Sequence, residues 1–341
     1  MILAQNGFAR IFLELRPTLV DKLRQRDHRT MSGTSTERMA IAAAGAAAGA
    51  LVAWRLLSRP YVPDKVWKPP TGGSGGKWSK INSHTAGARE TKALPVGAHD
   101  LQLYSLGTPN GVKVTILLEE LSAADPAFEY DAWLTMIDGA QFTSGFVDVN
   151  PNSKIPALYD QSTKTRVFES GSILVYLCEK YDKAGVFLPT SGPARTEVLN
   201  WVFWQMSTGG YLGGGFGHFY AYAPSKMRYP LDRFTMEAKR QLAVLDAQLA
   251  TRPFLAGETY TLSDVACYPW YGKIVEGSLY GASEFLDVDV YPHVKRWAAA
   301  VSARPAVKRG NKVNRTWGKP SDQLYNRHSR ADFDALPAEG A

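Results

Sequence analysis

The segment Thr108-Pro109-Asn110 carries side chains suited to holding an anion at the start of a helix. It follows an alternating stretch, residues 101–106, which predicts a strand that ends at Gly107. Thr108 is a suitable N-cap and Pro109 fits the first helical position. The Thr108 hydroxyl, the Asn110 amide and free backbone N–H groups would then lie together. Donors at the positive end of a helix lower the pKa of a thiol placed there. The alternative is that Thr108 and Asn110 only cap the helix.

Two further junctions could bind a peptide and a carboxylate. Lys154-Ile155-Pro156 precedes a predicted strand, and a cis bond before Pro156 would turn the Ile155 N–H and C=O outward to pair with a peptide backbone. Glu169-Ser170 ends a predicted strand and opens a helix. The helix N-terminus and the Ser170 hydroxyl suit a carboxylate, and Glu169 can pair with an ammonium. An edge-strand proline and a plain N-cap are the alternatives.

The elements around these junctions predict an α/β domain followed by a helical domain. We expect strands at 101–106, 128–134, 155–159 and 166–168, with helices after Thr108 and from Ser170, which gives β-α-β, a loop and β-β-α. Beyond Pro189 the apolar spacing is helical, Thr261-x-x-Asp264 is a capping box, and a last helix from Pro292 should stop at Arg304-Pro305. The predicted domains are 98–190 (α/β), 193–315 (all-α) and a C-terminal tail, 316–341. Residues 320–341 of that tail read as flexible or draped over a partner subunit.

The charge distribution argues against nucleic-acid binding. The chain has 341 residues and a net charge of +7. Residues 1–92 hold 15 basic and 6 acidic residues, whereas residues 93–341 hold 24 and 26, so the folded body is slightly acidic. Two cysteines, Cys178 and Cys267, exclude a disulfide framework, and no metal-ligand motif is present. Both cysteines lie in apolar helical contexts and read as buried side chains, not nucleophiles.

The N-terminal region predicts a membrane anchor. Residues 1–38 form a basic leader, and residues 39–57 are apolar and alanine-rich, which favours a single membrane-spanning helix at the short end of the usual length. A cleaved mitochondrial or other organelle-targeting peptide is the alternative, as is a start at Met31 instead of Met1. Residues 58–97 have the composition of a linker, yet they contain Trp67 and Trp78, so part of the linker should pack on something.

Several stretches between Trp67 and Arg315 resemble the glutathione transferase superfamily, and most closely its nu-class branch of glutathione-dependent disulfide-bond oxidoreductases. They are LQLYSLGTPNGVKVTILLEEL, FVDVNPNSKIPAL, RVFESGSILVYLCEKY, GGGFGHFYAYAP, DRFTMEAKRQL, TYTLSDVA and ARPAVKRG. The resemblance implies a thioredoxin-like N-terminal domain, an all-α C-terminal domain and a homodimer. It also implies glutathione as co-substrate, one or two molecules per site, and no metal.

The resemblance also implies the site residues. Thr108 and Asn110 would be catalytic, and glutathione contacts would come from Asn82, Gln141, Ile155, Glu169, Ser170, Gln205 and Arg233. Asn82 would bring the linker over the active site, and some relatives carry the helical-domain glutamine one position later, at Met206 here. The glycine-rich run 213–217 lies between helical segments, so it favours a close backbone approach over a nucleotide loop. His218, Tyr220 and Tyr222 could line the second-substrate pocket.

The function implied is reduction of small disulfides. A bound glutathione thiolate attacks the disulfide, and a second glutathione resolves the mixed disulfide. A conjugating transferase or peroxidase would use the same thiolate. A non-catalytic glutathione-binding regulator is the alternative from another class.

Overall fold

The structure, a computed structural model, describes residues 35–57, 62–70 and 84–338. The predicted leader up to residue 34, the choice between Met1 and Met31, and the upstream targeting peptide lie outside these ranges. So do Trp78 and Asn82. The chain divides into two units, residues 1–68 and 69–341.

In the described part of the first unit, residues 35–57 form a helix, α1 (Ser35–Leu57). Alanine and glycine supply eleven of its 23 residues, and Glu37, Arg38 and Arg55 are charged, so little apolar side-chain area is available. Within the described ranges, no helix combines the length and the apolar character that crossing a bilayer requires. The predicted membrane-spanning segment at 39–57 and the membrane-anchored location are therefore wrong.

The second unit opens with a four-stranded sheet in the order β2-β1-β3-β4. Its strands are β1 (Leu101–Ser105), β2 (Asp131–Leu134), β3 (Ala157–Asp160) and β4 (Thr165–Phe168). β1 runs parallel to β2 and antiparallel to β3, and β3 runs antiparallel to β4. The helices are α2 (Pro109–Ala124), α3 (Ser144–Val149) and α4 (Ser170–Tyr181). The predicted β-α-β and β-β-α order is confirmed, and the domain is thioredoxin-like, with α3 in the connection predicted as a loop.

Helix α2 is buried almost all round, from Gly111 to Ser122. It contacts α4 within its own domain and also two helices of the second domain, α7 (Leu262–Val275) and α9 (Pro305–Gly310). An ordinary surface helix would leave one side to solvent. Any polar side chain in the middle of α2 must therefore find a partner inside the protein.

The second domain is helical throughout. It comprises α5 (Gly192–Gly210), a π-helix (Tyr211–Tyr222), α6 (Arg228–Leu249), α7, α8 (Pro292–Ser302) and α9. The predicted capping box of Thr261 and Asp264 is confirmed at the start of α7. Pro305, predicted only to stop the preceding helix, opens α9, because proline fits a first helical turn as well as it ends one.

The C-terminal tail packs on its own chain. Ala132 of β2 and Arg327 exchange two backbone hydrogen bonds, at 2.7 and 3.0 Å, so the tail extends the edge of the sheet. The Arg327 side chain is fully buried, stacks on Tyr130 and pairs with Glu119 and Glu129. The prediction of a flexible tail is wrong for these residues, since the tail supplies main-chain partners to a strand edge and a charge to two carboxylates. Contact of the tail with a partner subunit stays a prediction.

Residues 84–97 lie beside the start of α3. Arg89 donates its backbone N–H to Phe142 at 2.8 Å, and Ser144 donates to Glu90 at 2.8 Å. His84 and Ala86 line a cavity of about 280 Å³ together with Asn152 and Lys154. The predicted linker therefore runs next to the Lys154-Ile155-Pro156 junction.

Candidate functional site

A cavity of about 370 Å³ lies between the two domains of the second unit. On one side are the start of α2 and the loops before α3 and β3, and on the other are the π-helix and α7. Its lining includes six of the residues that the sequence singled out, which are Thr108, Asn110, Gln141, Ile155, His218 and Tyr222. The structure thus brings together residues that are up to 114 positions apart in the chain.

Thr108 caps α2 as predicted. Its hydroxyl accepts the Gly111 N–H at 3.4 Å, and its backbone is extended. A Cβ on Gly111 would lie 2.0 Å from the Leu106 carbonyl oxygen, so only glycine lets the first turn of α2 sit this close to the end of β1. Thr108, Pro109 and Asn110 all line the cavity, so the N-terminal end of α2 opens into it.

The amide of Asn110 has a defined orientation. Its Oδ1 accepts two hydrogen bonds, from Lys113 Nζ at 2.8 Å and from Trp270 Nε1 at 2.9 Å. Both groups are donors only, so the oxygen must face them and the Nδ2 donors must point the other way. Because Asn110 lines the cavity, Nδ2 is available to a ligand anion there.

Gln141 and Ile155 line the cavity on the α/β side. The bond between Ile155 and Pro156 is cis. Gln141 is 2 % exposed, and its Oε1 accepts the Gly139 N–H at 3.2 Å, which leaves its amide nitrogen to donate elsewhere. Both residues therefore line the same cavity as the start of α2.

Glu169 and Ser170 stand at the junction of β4 and α4. Glu169 has φ of 70°, a left-handed conformation that is unusual for a non-glycine residue, and its carboxylate accepts from Asn152 Nδ2 at 3.3 Å. Ser170 Oγ accepts from Lys113 Nζ at 3.3 Å. Strained backbone of this kind is concentrated at functional sites.

Four of the predicted glutathione contacts are not part of the cavity lining, namely Glu169, Ser170, Gln205 and Arg233. Gln205 is fully buried in α5 and its Oε1 accepts from Lys113 Nζ, while Arg233 is exposed on α6. The contacts of these four residues with glutathione stay predictions, as does that of Asn82.

The helical side of the cavity is aromatic. His218, Tyr222, Trp270 and Tyr280 line it, whereas Tyr220 stacks on a neighbouring phenylalanine with ring centroids 5.2 Å apart. Burial raises the pKa of Tyr222 and of Tyr280, so both phenols stay protonated at neutral pH. This wall offers apolar faces and hydroxyl donors to a second substrate.

The glycine run brings the π-helix onto Trp270. A Cβ on Gly213 would lie 2.8 Å from the Trp270 ring. Any side chain at position 213 would clash with the Trp270 indole, whose N–H donates to Asn110 Oδ1. The predicted close backbone approach is thus present, and its consequence is the orientation of the Asn110 amide.

Sequence reasoning missed Lys113 and Trp270. Lys113 is 1 % exposed, and burial lowers its pKa to about 7. One signal was available: Lys113 precedes Leu117 and Leu121 by four and eight positions, so it falls in the apolar stripe of α2. A lysine there is usually read as reaching to solvent.

Both cysteines are buried in helices, Cys178 in α4 and Cys267 in α7. Burial raises the pKa of each thiol far above neutrality, so neither forms a thiolate readily. Among the residues that the structure describes, no His, Cys, Asp and Glu side chains are grouped as a metal site would require.

Comparisons with known proteins agree with this architecture. Family models described as the N-terminal and C-terminal domains of glutathione S-transferase match residues 99–179 and 229–300. The disulfide-bond oxidoreductase YghU of Escherichia coli K12 is 57 % identical over 283 residues, which is 82 % of this chain and 97 % of that protein.

Two solved structures are similar as well. Glutathione transferase YghU from Streptococcus pneumoniae, complexed with glutathione, is 52 % identical with a TM-score of 0.71, over 76 % of this chain and 100 % of that one. A glutathione transferase family member from Pseudomonas fluorescens, with two glutathione molecules bound, is 40 % identical with a TM-score of 0.56, over 62 % and 92 %.

Proposed function

The chain belongs to the glutathione transferase family and is an enzyme that uses glutathione as its co-substrate, and we propose that it reduces small disulfides with the thiolate of the bound tripeptide. One observation carries the proposal: the Asn110 amide, held by two donors behind it, presents Nδ2 to the cavity at the start of α2. The two protein cysteines are buried with raised pKa values, so the reacting sulfur must come from the ligand.

Each part of glutathione meets a different group in this proposal. The cysteinyl sulfur lies at Thr108 and Asn110, where the helix dipole and two donors favour the thiolate. The cysteinyl backbone pairs with Ile155. The γ-glutamyl carboxylate lies at Ser170 and its ammonium at Glu169.

The reaction is a pair of thiol–disulfide exchanges. The bound thiolate attacks one sulfur of the substrate, the substrate S–S bond breaks, and the leaving thiolate takes a proton. A second glutathione thiolate then attacks the sulfur of the bound tripeptide, releasing the other substrate thiol and forming glutathione disulfide. A solved structure of a relative contains two bound glutathione molecules, which supports the proposal that the site accommodates two. Binding both glutathione molecules in one site would place the reacting sulfurs next to each other, so the reaction would not depend on three molecules meeting in solution.

We also propose a homodimer. Large apolar side chains on α5 and α6 are exposed in the single chain, among them Phe203 and Met236, each 63 % exposed. Phe203 lines a groove of about 640 Å³ that also contains Val175 and Tyr176 of α4. Light scattering on the purified protein tests this: a monomer at micromolar concentration contradicts it.

The direct test is glutathione-dependent reduction of hydroxyethyl disulfide. The double variant Thr108→Ala with Asn110→Ala removes two donors to the thiolate and should lose about 10²–10³-fold in rate while it still binds glutathione. The matched control is Thr251→Ala with Thr259→Ala, two exposed threonines outside the cavity, and it should retain full activity.

Other outcomes select the alternatives. Wild-type protein that is retained on a glutathione matrix but reduces no disulfide is a binding protein. Turnover of an aryl halide or an organic hydroperoxide, without disulfide reduction, indicates a conjugating transferase or a peroxidase.

A further inference from the structure

Lys113 is a charged group in the interior of the protein. It lies one helical turn after Asn110, and its Nζ contacts three oxygens: Asn110 Oδ1 at 2.8 Å, Ser170 Oγ at 3.3 Å and Gln205 Oε1. An ammonium has three N–H donors and no acceptor, so three surrounding acceptors match the protonated side chain. A neutral amine has only two N–H groups, so it could donate to only two of these oxygens, and the Ser170 hydroxyl would have to donate to its lone pair instead.

The protonated side chain has no ion-pair partner among the residues that the structure describes. Within the described ranges, no carboxylate lies at ion-pair distance from Nζ. The titratable groups that face it are Cys267 of α7 and Glu169 at the end of β4. Cys267 is neutral because burial raises its pKa. Glu169 favours the protonated lysine, but it is exposed, so solvent screens its charge. The other neighbours, from α2, α4 and α5, are uncharged.

An unpaired buried charge is costly, and it persists only where something compensates. The proposed ligand, glutathione, would bring two negatively charged groups near Lys113. Its thiolate would lie at Asn110, and its γ-glutamyl carboxylate would lie at Ser170, which are two of the three residues that contact Nζ.

Two donor chains lead outward from the ammonium. In one, Nζ donates to Asn110 Oδ1, and the Nδ2 of the same amide faces the cavity. In the other, Nζ donates to Ser170 Oγ, whose own hydrogen is then directed away, to Met206 Sδ at 3.5 Å or to a carboxylate. A charged first donor strengthens every later bond in such a chain.

We propose that Lys113 is a positioning residue whose single buried ammonium supports both anion sites at once, through Asn110 for the thiolate and through Ser170 for the γ-glutamyl carboxylate. This assignment rests on glutathione occupying the cavity as proposed above. It makes Lys113 the charge that couples binding of the two ends of the ligand.

Proton linkage follows from this arrangement. Burial lowers the pKa of Lys113 to about 7, so near neutrality part of the free enzyme lacks this proton. A bound anion favours the charged form and raises that pKa again, so binding takes up a proton. Affinity is therefore highest at low pH and weakens as the pH rises above about 7.

S-methylglutathione tests the linkage without turnover, since it keeps both carboxylates but has no ionisable thiol. Calorimetry in buffers of different ionisation enthalpy should show proton uptake near pH 7.5 in wild type, and the Kd should rise by up to about tenfold per pH unit above neutrality. Lys113→Met should lose the uptake and the pH dependence. Lys273→Met is the matched control, because Lys273 is a half-buried lysine whose pKa desolvation lowers to about 8, yet it is outside the cavity.

A second readout follows the thiol. Glutathione bound to Lys113→Met should ionise at higher pH than in wild type, by ultraviolet absorbance of the thiolate, and kcat for the disulfide should fall more than KM rises. If Lys113 had only a structural role, Lys113→Met would change stability without changing the ionisation of bound glutathione or the balance between kcat and KM.

The wild-type titration needs no variant, so it decides even if Lys113→Met fails to fold. Less than about a twofold change in wild-type Kd between pH 6.5 and 8.5, with no proton uptake, overturns the proposal. Wild type that shows the linkage but reduces no disulfide overturns the proposed function and leaves the role of Lys113 intact.

Discussion

Replacing Asn110 by aspartate separates the two roles of this side chain. Aspartate has nearly the same shape, so one carboxylate oxygen can still accept from Lys113 and Trp270. The other oxygen takes the place of Nδ2, so the group that faces the cavity is a negatively charged acceptor instead of a donor. We expect the variant to lose thiolate stabilisation and to gain a counter-ion for Lys113.

The loss of thiolate stabilisation has a definite size. A hydrogen bond to a charged group contributes about 1.5–3 kcal/mol. One pKa unit corresponds to about 1.4 kcal/mol. The pKa of bound glutathione should therefore rise by about one to two units, before the repulsion between the carboxylate and the sulfur is added. At neutral pH the fraction of bound thiolate falls by up to about 10–100-fold, and kcat/KM should fall with it.

Folding stability should move in the opposite direction. The pKa of Lys113 falls from 10.5 to about 7 on folding. The unfolded chain thus binds this proton more tightly, and the group destabilises the wild type by at most about 4–5 kcal/mol at pH 7. This penalty disappears as the pH rises from about 7 to 10.5. An adjacent aspartate raises the pKa of Lys113, so the side chain stays protonated in the folded protein. We expect the variant to be about 1–2 kcal/mol more stable at pH 7, and its free energy of unfolding to increase less steeply with pH.

Two measurements check this pair of effects. Ultraviolet titration of bound glutathione reports the thiol pKa, and urea unfolding reports the free energy. Asn326→Asp is the control, because its exposed side chain accepts only the Leu134 backbone N–H, which a carboxylate also accepts. If the pKa of bound glutathione is the same in the variant as in wild type, Asn110 Nδ2 does not donate to the thiolate, and the proposed orientation of the amide is refuted. A variant less stable than wild type would refute the unpaired state of Lys113.

Two further predictions concern groups outside the site. Cys178→Ala and Cys267→Ala should each retain disulfide reduction within about twofold, because both thiols are buried and protonated; abolished turnover would show that a protein sulfur takes part. Arg327→Met should destabilise the chain by about 3–5 kcal/mol in urea unfolding, because it leaves Glu119 and Glu129 without their buried partner; an unchanged unfolding midpoint would mean that the tail does not secure the sheet edge.

Local signals predicted the framework of the site well. The strand before Gly107, the proline at the first position of α2 and the capping box of Thr261 depend on residues within a few positions of one another. Hydrogen bonds of this range form in the same way wherever the segment lies, so residue type and spacing suffice. The order β-α-β then β-β-α follows from the same kind of information.

Local signals failed where a side chain's surroundings come from elsewhere. A lysine in a helix reads as solvated, yet the partners of Lys113 on α4 and α5 are 57 and 92 residues away. The tail read as flexible because its charges have no local partners, although Arg327 finds them across the sheet edge. For α1, composition suggested a bilayer helix, and the alanine-rich segment proved too weakly apolar for one.

The sequence by itself determined the order of the strands and helices around the site and the donors at the start of α2, because the residues that cap a helix are near neighbours in the chain. The tertiary structure alone decided that Lys113 and Trp270 meet behind Asn110 and turn its amide toward the cavity. The physical reason is burial: helices of the second domain cover the outer side of α2, so a polar group there must take its partners from distant parts of the chain.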